Sequence, residues 1–136
     1  TLVVITADHG LVDVEWRHLP DYPEITDCLS RIPSIEARAL SFCVKAGREQ
    51  DFEIAFAERF GKHYVLLTKE EILSGKLFGE GEPHPRTADF LGDYLAVATG
   101  TLSLDVAPKE ESRNFAAAHA GFTSGEMNVP LIMVGK

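Results

Sequence analysis

Residues 1–10 read TLVVITADHG, an apolar run of strand-forming residues that stops on an Asp-His pair followed by glycine. On a strand, Asp8 and His9 would face opposite ways; in a turn just beyond it, they converge on one cation. Gly10 makes such a turn cheap because it has no Cβ to clash. In open α/β sheets, ligands bind outside the carboxyl ends of strands, so this pair stands where chemistry is expected. Residues 117–136, AAHAGFTSGEMNVPLIMVGK, mirror the pattern: His119, a glycine two residues on, a polar loop, then a second apolar strand. Carboxylate and imidazole together suit borderline dications such as Zn²⁺ or Mn²⁺ better than Mg²⁺ or Ca²⁺.

The T-A-D-H-G at 6–10 and the H-A-G followed by E-x-x-V-P-L at 119–131 resemble the alkaline phosphatase superfamily, more narrowly its type I phosphodiesterase/nucleotide pyrophosphatase branch. Residues 23–29, 42–45, 82–86 and 92–94 also look like bacterial members of that branch. The resemblance implies an α/β fold, the carboxyl-terminal part of an alkaline-phosphatase-like sheet with helices, spanning 1–136. It implies two divalent metal ions, Zn or Mn, with Asp8 and His9 on one and His119 on the other. Two cations about 4 Å apart cover both ends of an in-line displacement at phosphorus.

By the same resemblance, the Thr or Ser nucleophile, an earlier metal-binding Asp and a further Asp and His lie upstream of the first motif. The chain is therefore expected to be the carboxyl-terminal piece of a larger enzyme, with no catalytic nucleophile of its own and no turnover alone. The parent is expected to hydrolyse phosphoesters, with phosphodiesters or pyrophosphates favoured, through a covalent intermediate. Its expected partners are a small phosphorylated substrate and the missing amino-terminal part of the same protein. Sulfatases, phosphonate hydrolases and phosphomutases share these metal ligands, and the absent nucleophile leaves them as alternatives. A non-catalytic binding or interaction domain is the reading from another class. Only the enzyme reading requires Asp8, His9 and His119 to lie within a few Å of one another.

Composition bounds the partners. The 136 residues are 45% hydrophobic and 25% charged, ordinary values for a folded domain. A net charge of −8 argues against a nucleic acid polymer or an anionic membrane, since phosphate contact needs clustered Lys and Arg. Bound cations reverse that sign locally, so a small phosphorylated substrate stays compatible. No apolar run approaches the roughly 20 residues that span a bilayer, and no signal peptide is visible; a cytoplasmic location is the default expectation. Cys28 and Cys43 lack C-x-x-C spacing and read as buried free thiols.

Between the motifs, periodicity gives most of the organisation. Residues 11–20 read as irregular. Residues 21–32 read as a helix, with Pro23 in its first turn, Ile25, Leu29 and Ile32 on one face, and Pro33 ending it. Residues 36–45 alternate Arg38, Leu40, Phe42 and Val44 against smaller residues, as in a strand covered on both faces. Residues 50–60 are helical by the four-residue spacing of Phe52, Phe56 and Phe60. A strand at 63–67 precedes a helix to about Ser74 capped by Thr68 and Glu71. Residues 34–78 thus read as a small α+β insertion beside the main sheet. Residues 79–86 are loop, 94–98 an apolar strand and 108–113 a charged connection.

The remaining histidines divide by context. His84, flanked by Pro83 and Pro85 and followed by Arg86, is a weaker candidate for substrate contact with that arginine. The preceding G-E-G-E is no phosphate loop, since it lacks the lysine and its glutamates repel phosphate. His18 and His63 read as structural. Glu126, three residues after Thr123, reads as a capping partner that orders the loop after His119. A sheet separated from its upstream strands exposes an edge and an apolar face, so self-association of this chain is expected.

Overall fold

The computed structural model describes residues 1–112 and 115–135; the end of the expected charged connection, Arg113, lies outside them. The architecture is mixed α/β. Its centre is a four-stranded antiparallel sheet in the order β4 (Ser34–Glu36), β5 (Ala39–Phe42), β7 (Tyr94–Ala98), β6 (Tyr64–Thr68). This sheet draws three strands from residues 34–78 and its fourth, β7, from beyond them.

Both faces of the sheet are covered, and the pleat sorts the residues. Leu40, Phe42, Tyr64, Tyr94, Ala96 and Ala98 join the larger core cluster with helix α2 (Glu49–Phe60). There Phe52, Phe56 and Phe60 carry the expected stripe, with Phe52 5.1 Å from Phe42 and 5.2 Å from Tyr94 between ring centroids. Leu95 and Val97, the alternate residues of β7, instead meet Ile72 of helix α3 (Lys69–Ser74) and Leu91. The capping box expected from Thr68 and Glu71 is formed: the Glu71 amide donates to Thr68 Oγ1 at 3.2 Å, and the Thr68 amide donates to Glu71 Oε2 at 2.8 Å. A short helix, α4 (Thr87–Phe90), precedes β7.

Three expectations change. The helix over 21–32 reduces to a 3₁₀ turn, Leu19–Asp21, and one turn of helix, α1 (Pro23–Thr26). Beyond it the Ser30 amide donates to Cys43 O and the Lys45 amide to Cys28 O, so residues 28–30 line up along 43–45 instead of continuing the helix. The strand over 36–45 is broken by a turn at Ala37 and Arg38 that makes a hairpin of β4 and β5. The irregular 11–20 contains two strands, β2 (Val12–Asp13) and β3 (Glu15–His18).

Those strands, like the terminal ones, pair far along the chain. β3 runs parallel to β8 (Leu102–Asp105), and β2 pairs antiparallel with β9 (Ala117–Ala118). The two mirrored apolar runs, β1 (Leu2–Thr6) and β10 (Leu131–Gly135), pair with each other antiparallel, from Leu2 opposite Gly135 to Thr6 opposite Leu131. Every residue of this ribbon is exposed, Leu2 at 64% and Leu131 at 66%. Both cysteines are free, Cys28 buried and Cys43 partly so. No helix among the described residues is long and apolar enough to cross a membrane.

Candidate metal centre

Antiparallel pairing explains why two motifs about 110 residues apart along the chain meet. The carboxyl end of β1 lies beside the amino end of β10, so the chain leaving Thr6 and the chain arriving at Leu131 occupy the same end of the ribbon. The β2–β9 pair, Val12 opposite Ala118, closes the same loops from the other side. Between these pairings the His9 and His119 rings stack, 3.8 Å between centroids and 12° from parallel. Asp8 Oδ2 stands 3.8 Å from His9 Nε2, with the Asp8 side chain 90% exposed. His9 Nδ1 lies 2.8 Å from Gly10 O; a carbonyl only accepts, so Nδ1 carries the proton and the Nε2 lone pair is left for an electrophile.

Below this pair, a buried ionic knot ties the loops together. Arg38 is 0% and Glu126 3% exposed. Arg38 Nε donates to Glu126 Oε1 at 2.5 Å, and Nη2 donates to Oε2 at 2.8 Å. Nη1 donates to Leu102 O at 3.0 Å and Nη2 also to Gly100 O at 2.7 Å. Glu126 further accepts from the Gly121 amide at 2.8 Å, from Thr123 Oγ1 at 2.5 Å and from the Thr123 amide at 3.3 Å, the last being part of the capping box that opens helix α5 (Ser124–Met127). Burial pushes the Glu126 carboxyl up, yet the hydrogen bonds from Arg38, Thr123 and Gly121 outweigh it and hold its pKa at about 2. Beside the knot, Tyr64 donates to Leu102 O at 3.0 Å, and burial pushes its hydroxyl well up.

His84 and Arg86 lie elsewhere. They line a cleft of about 860 Å³ with Leu73, Leu77, Phe78 and Phe90, and Asp8, His9 and His119 are not among its walls. The Arg86 amide donates to His84 Nδ1 at 3.1 Å, and Arg86 Nε is 3.7 Å from Asp89 Oδ2, both side chains exposed. His18 uses both ring nitrogens internally, on Ala107 O at 2.7 Å and Asp21 Oδ1 at 3.3 Å.

Solved structures with a similar fold include enzymes that act on phosphorus compounds. Murine ectonucleotide pyrophosphatase/phosphodiesterase 5 superposes over 96% of this chain with a TM-score of 0.64 at 15% identity, and the human protein over 97% with 0.63 at 12%. Phosphonoacetate hydrolase from Sinorhizobium meliloti 1021, in complex with phosphonoacetate, superposes over 97% with 0.65 at 17%. The fold is alkaline-phosphatase-like. The chain spans about a third of the length of these structures: 33% of the two mammalian proteins and 35% of the bacterial one. No family model matches the chain, and no curated protein matches it.

An alkaline-phosphatase-like fold implies metal ions, and the donors present suit part of such a set. His9 offers an Nε2 whose partner nitrogen is already fixed by a carbonyl, as metal-ligating imidazoles are held, and Asp8 offers an exposed carboxylate beside it. Among the described residues, no group of three or more His, Cys, Asp or Glu side chains is arranged to hold a metal ion.

Sequence reading passed over Arg38 and the close approach of the glycines. The signal for Arg38 was a charge in a row shared with Leu40 and Phe42, which demands a buried partner. Gly10 packs on the backbone of Gly125, where a Cβ on Gly10 would collide with Gly125 O. Ala120, next to His119, adopts φ +83°, a left-handed conformation that costs a residue with a Cβ.

Proposed function

We propose that this chain is part of a metal-dependent phosphoester hydrolase of the phosphodiesterase/nucleotide pyrophosphatase type. Asp8 and His9 hold one divalent cation, Zn²⁺ or Mn²⁺, and His119 helps hold a second. The observation that carries this reading is that His9 and His119, far apart along the chain, are brought ring to ring at 3.8 Å between centroids with the Asp8 carboxylate beside them. When bound, such cations neutralise phosphoryl oxygens and lower the pKa of an attacking oxygen. The chain's own contribution is positional. Gly10 O fixes the His9 tautomer, Asp8 adds negative charge beside it, and the antiparallel pairs β1–β10 and β2–β9 set the approach of the two loops.

The nucleophile and the remaining ligands come, in this proposal, from the rest of the protein. The β1–β10 ribbon is the place for that part to dock, because its apolar side chains, among them Val4 at 52% and Ile132 at 49%, are exposed on both faces. The substrate is a small phosphorylated molecule. The likeness to phosphonoacetate hydrolase favours a phosphonate as the second reading. Hydrolysis of a chromogenic phosphodiester with Zn²⁺ or Mn²⁺ tests the proposal in the longer protein, with His119→Ala alongside. Turnover lost in the variant supports it; turnover intact in the variant removes His119 from the site.

A further inference from the structure

We propose that Arg38 and Glu126 are positioning residues for the His9–His119 pair, an ionic knot that sets the distance between the two imidazoles. This rests on the metal reading above for its purpose, though not for its geometry.

The knot reaches both histidines along very short lengths of chain. Glu126 holds the Gly121 amide through its side chain, two residues beyond His119. Its backbone carbonyl accepts from the Gly10 amide at 2.8 Å, one residue beyond His9. One residue thus grips both loops. Space around it is closed: a Cβ on Gly121 would stand 2.7 Å from Glu126 Oε2, 2.8 Å from Ala98 O and 2.9 Å from Arg38 Nη2. Arg38 anchors Glu126 in turn to the Gly100 and Leu102 carbonyls of the segment leading into β8, and every guanidinium nitrogen is engaged.

Filling a buried space does not require this chemistry. A buried ion pair gains little over apolar residues of equal volume, because desolvation offsets the attraction. What a two-point guanidinium–carboxylate fork adds is a fixed direction and distance. Here the fork joins the hairpin turn, residues 100–102 and the 121–126 loop, with both candidate ligands at its margin. A role confined to stability predicts that loosening the fork lowers the melting temperature and leaves the imidazoles where they are. Positioning predicts that the rings move in protein that is still folded.

The experiment is proton NMR of the histidine rings in metal-free protein, followed by Zn²⁺ titration, for the unaltered chain, Arg38→Lys and Glu126→Gln. Stacked rings shift each other's protons, and His119→Ala identifies that effect on His9. We expect Arg38→Lys and Glu126→Gln to displace the His9 and His119 ring resonances, to leave those of His18 and His63 in place, and to weaken Zn²⁺ binding about tenfold or more. Unchanged His9 and His119 resonances with unchanged Zn²⁺ affinity in a folded variant would overturn the proposal. Should Arg38→Lys not fold, Thr123→Val removes a single donor to Glu126 and should produce a smaller displacement of the same two rings; none would again overturn it. If the longer protein binds no Zn²⁺, the metal reading fails, while the ring shifts in this chain still decide the positioning.

Discussion

Strand β7 of the four-stranded sheet and the two strands of the β1–β10 ribbon are similarly apolar, yet β7 is covered on both faces and the ribbon on neither. β7, YLAVA, is buried at every residue between α2 and α3, whereas β1, LVVIT, and β10, LIMVG, are exposed at every residue. Apolar sequence therefore specifies a strand that needs cover, and none of the described residues covers the ribbon. The candidate metal loops hang from the uncovered ribbon and are steadied from the covered side by Arg38 and Glu126.

The largest effect should separate the two regions directly. Phe56→Ala, in the aromatic stack and 1% exposed, should cost about 3–5 kcal/mol of stability in urea unfolding, whereas Val4→Ala, half exposed, should cost under about 1 kcal/mol. Equal losses would mean the ribbon is already covered in solution. Nearly as large, Glu126→Ala should cost about 3–5 kcal/mol, since it strands the Arg38 charge in the interior.

The same pair gives a pH signature. The Glu126 pKa is lowered from 4.5 to about 2, so its stabilising contribution is complete above pH 4.5 and is lost as pH falls toward 2. Acid unfolding of the unaltered chain should be steeper across that window than that of Glu126→Gln. Parallel curves would remove the ionised pair from the account.

The ribbon's exposure predicts association. Sedimentation should show a mass that rises with concentration, and Val4→Lys with Ile132→Lys should return it toward the monomer. A monomer at all concentrations would contradict the exposed ribbon. The smallest expected effect is local: Thr68→Ala removes the α3 cap and should cost about 1 kcal/mol, read by denaturant midpoint.

What the sequence disclosed follows from how local each feature is. The 49–60 helix, β6, β7 and both capping boxes depend on neighbours within a few residues, and they were readable. β2 and β3 were not, because strands this short are specified by partners about a hundred residues away, Ala117–Ala118 and Leu102–Asp105. The turn at Arg38 was hidden for a similar reason: its position in an alternating row looked like strand, and the Glu126 that draws it inward lies 88 residues on. At the candidate site, Asp8, His9 and His119 were singled out by motif and strand context. Their approach required the antiparallel pairing of β1 with β10, which alternation alone does not fix.

Calorimetric titration of Zn²⁺ and Mn²⁺ into the longer protein that supplies the remaining ligands, with His9→Ala and His119→Ala measured beside it, tests the central claim most directly. The account predicts saturable binding that each substitution weakens tenfold or more. Binding that is absent, or that survives both substitutions unchanged, would contradict it.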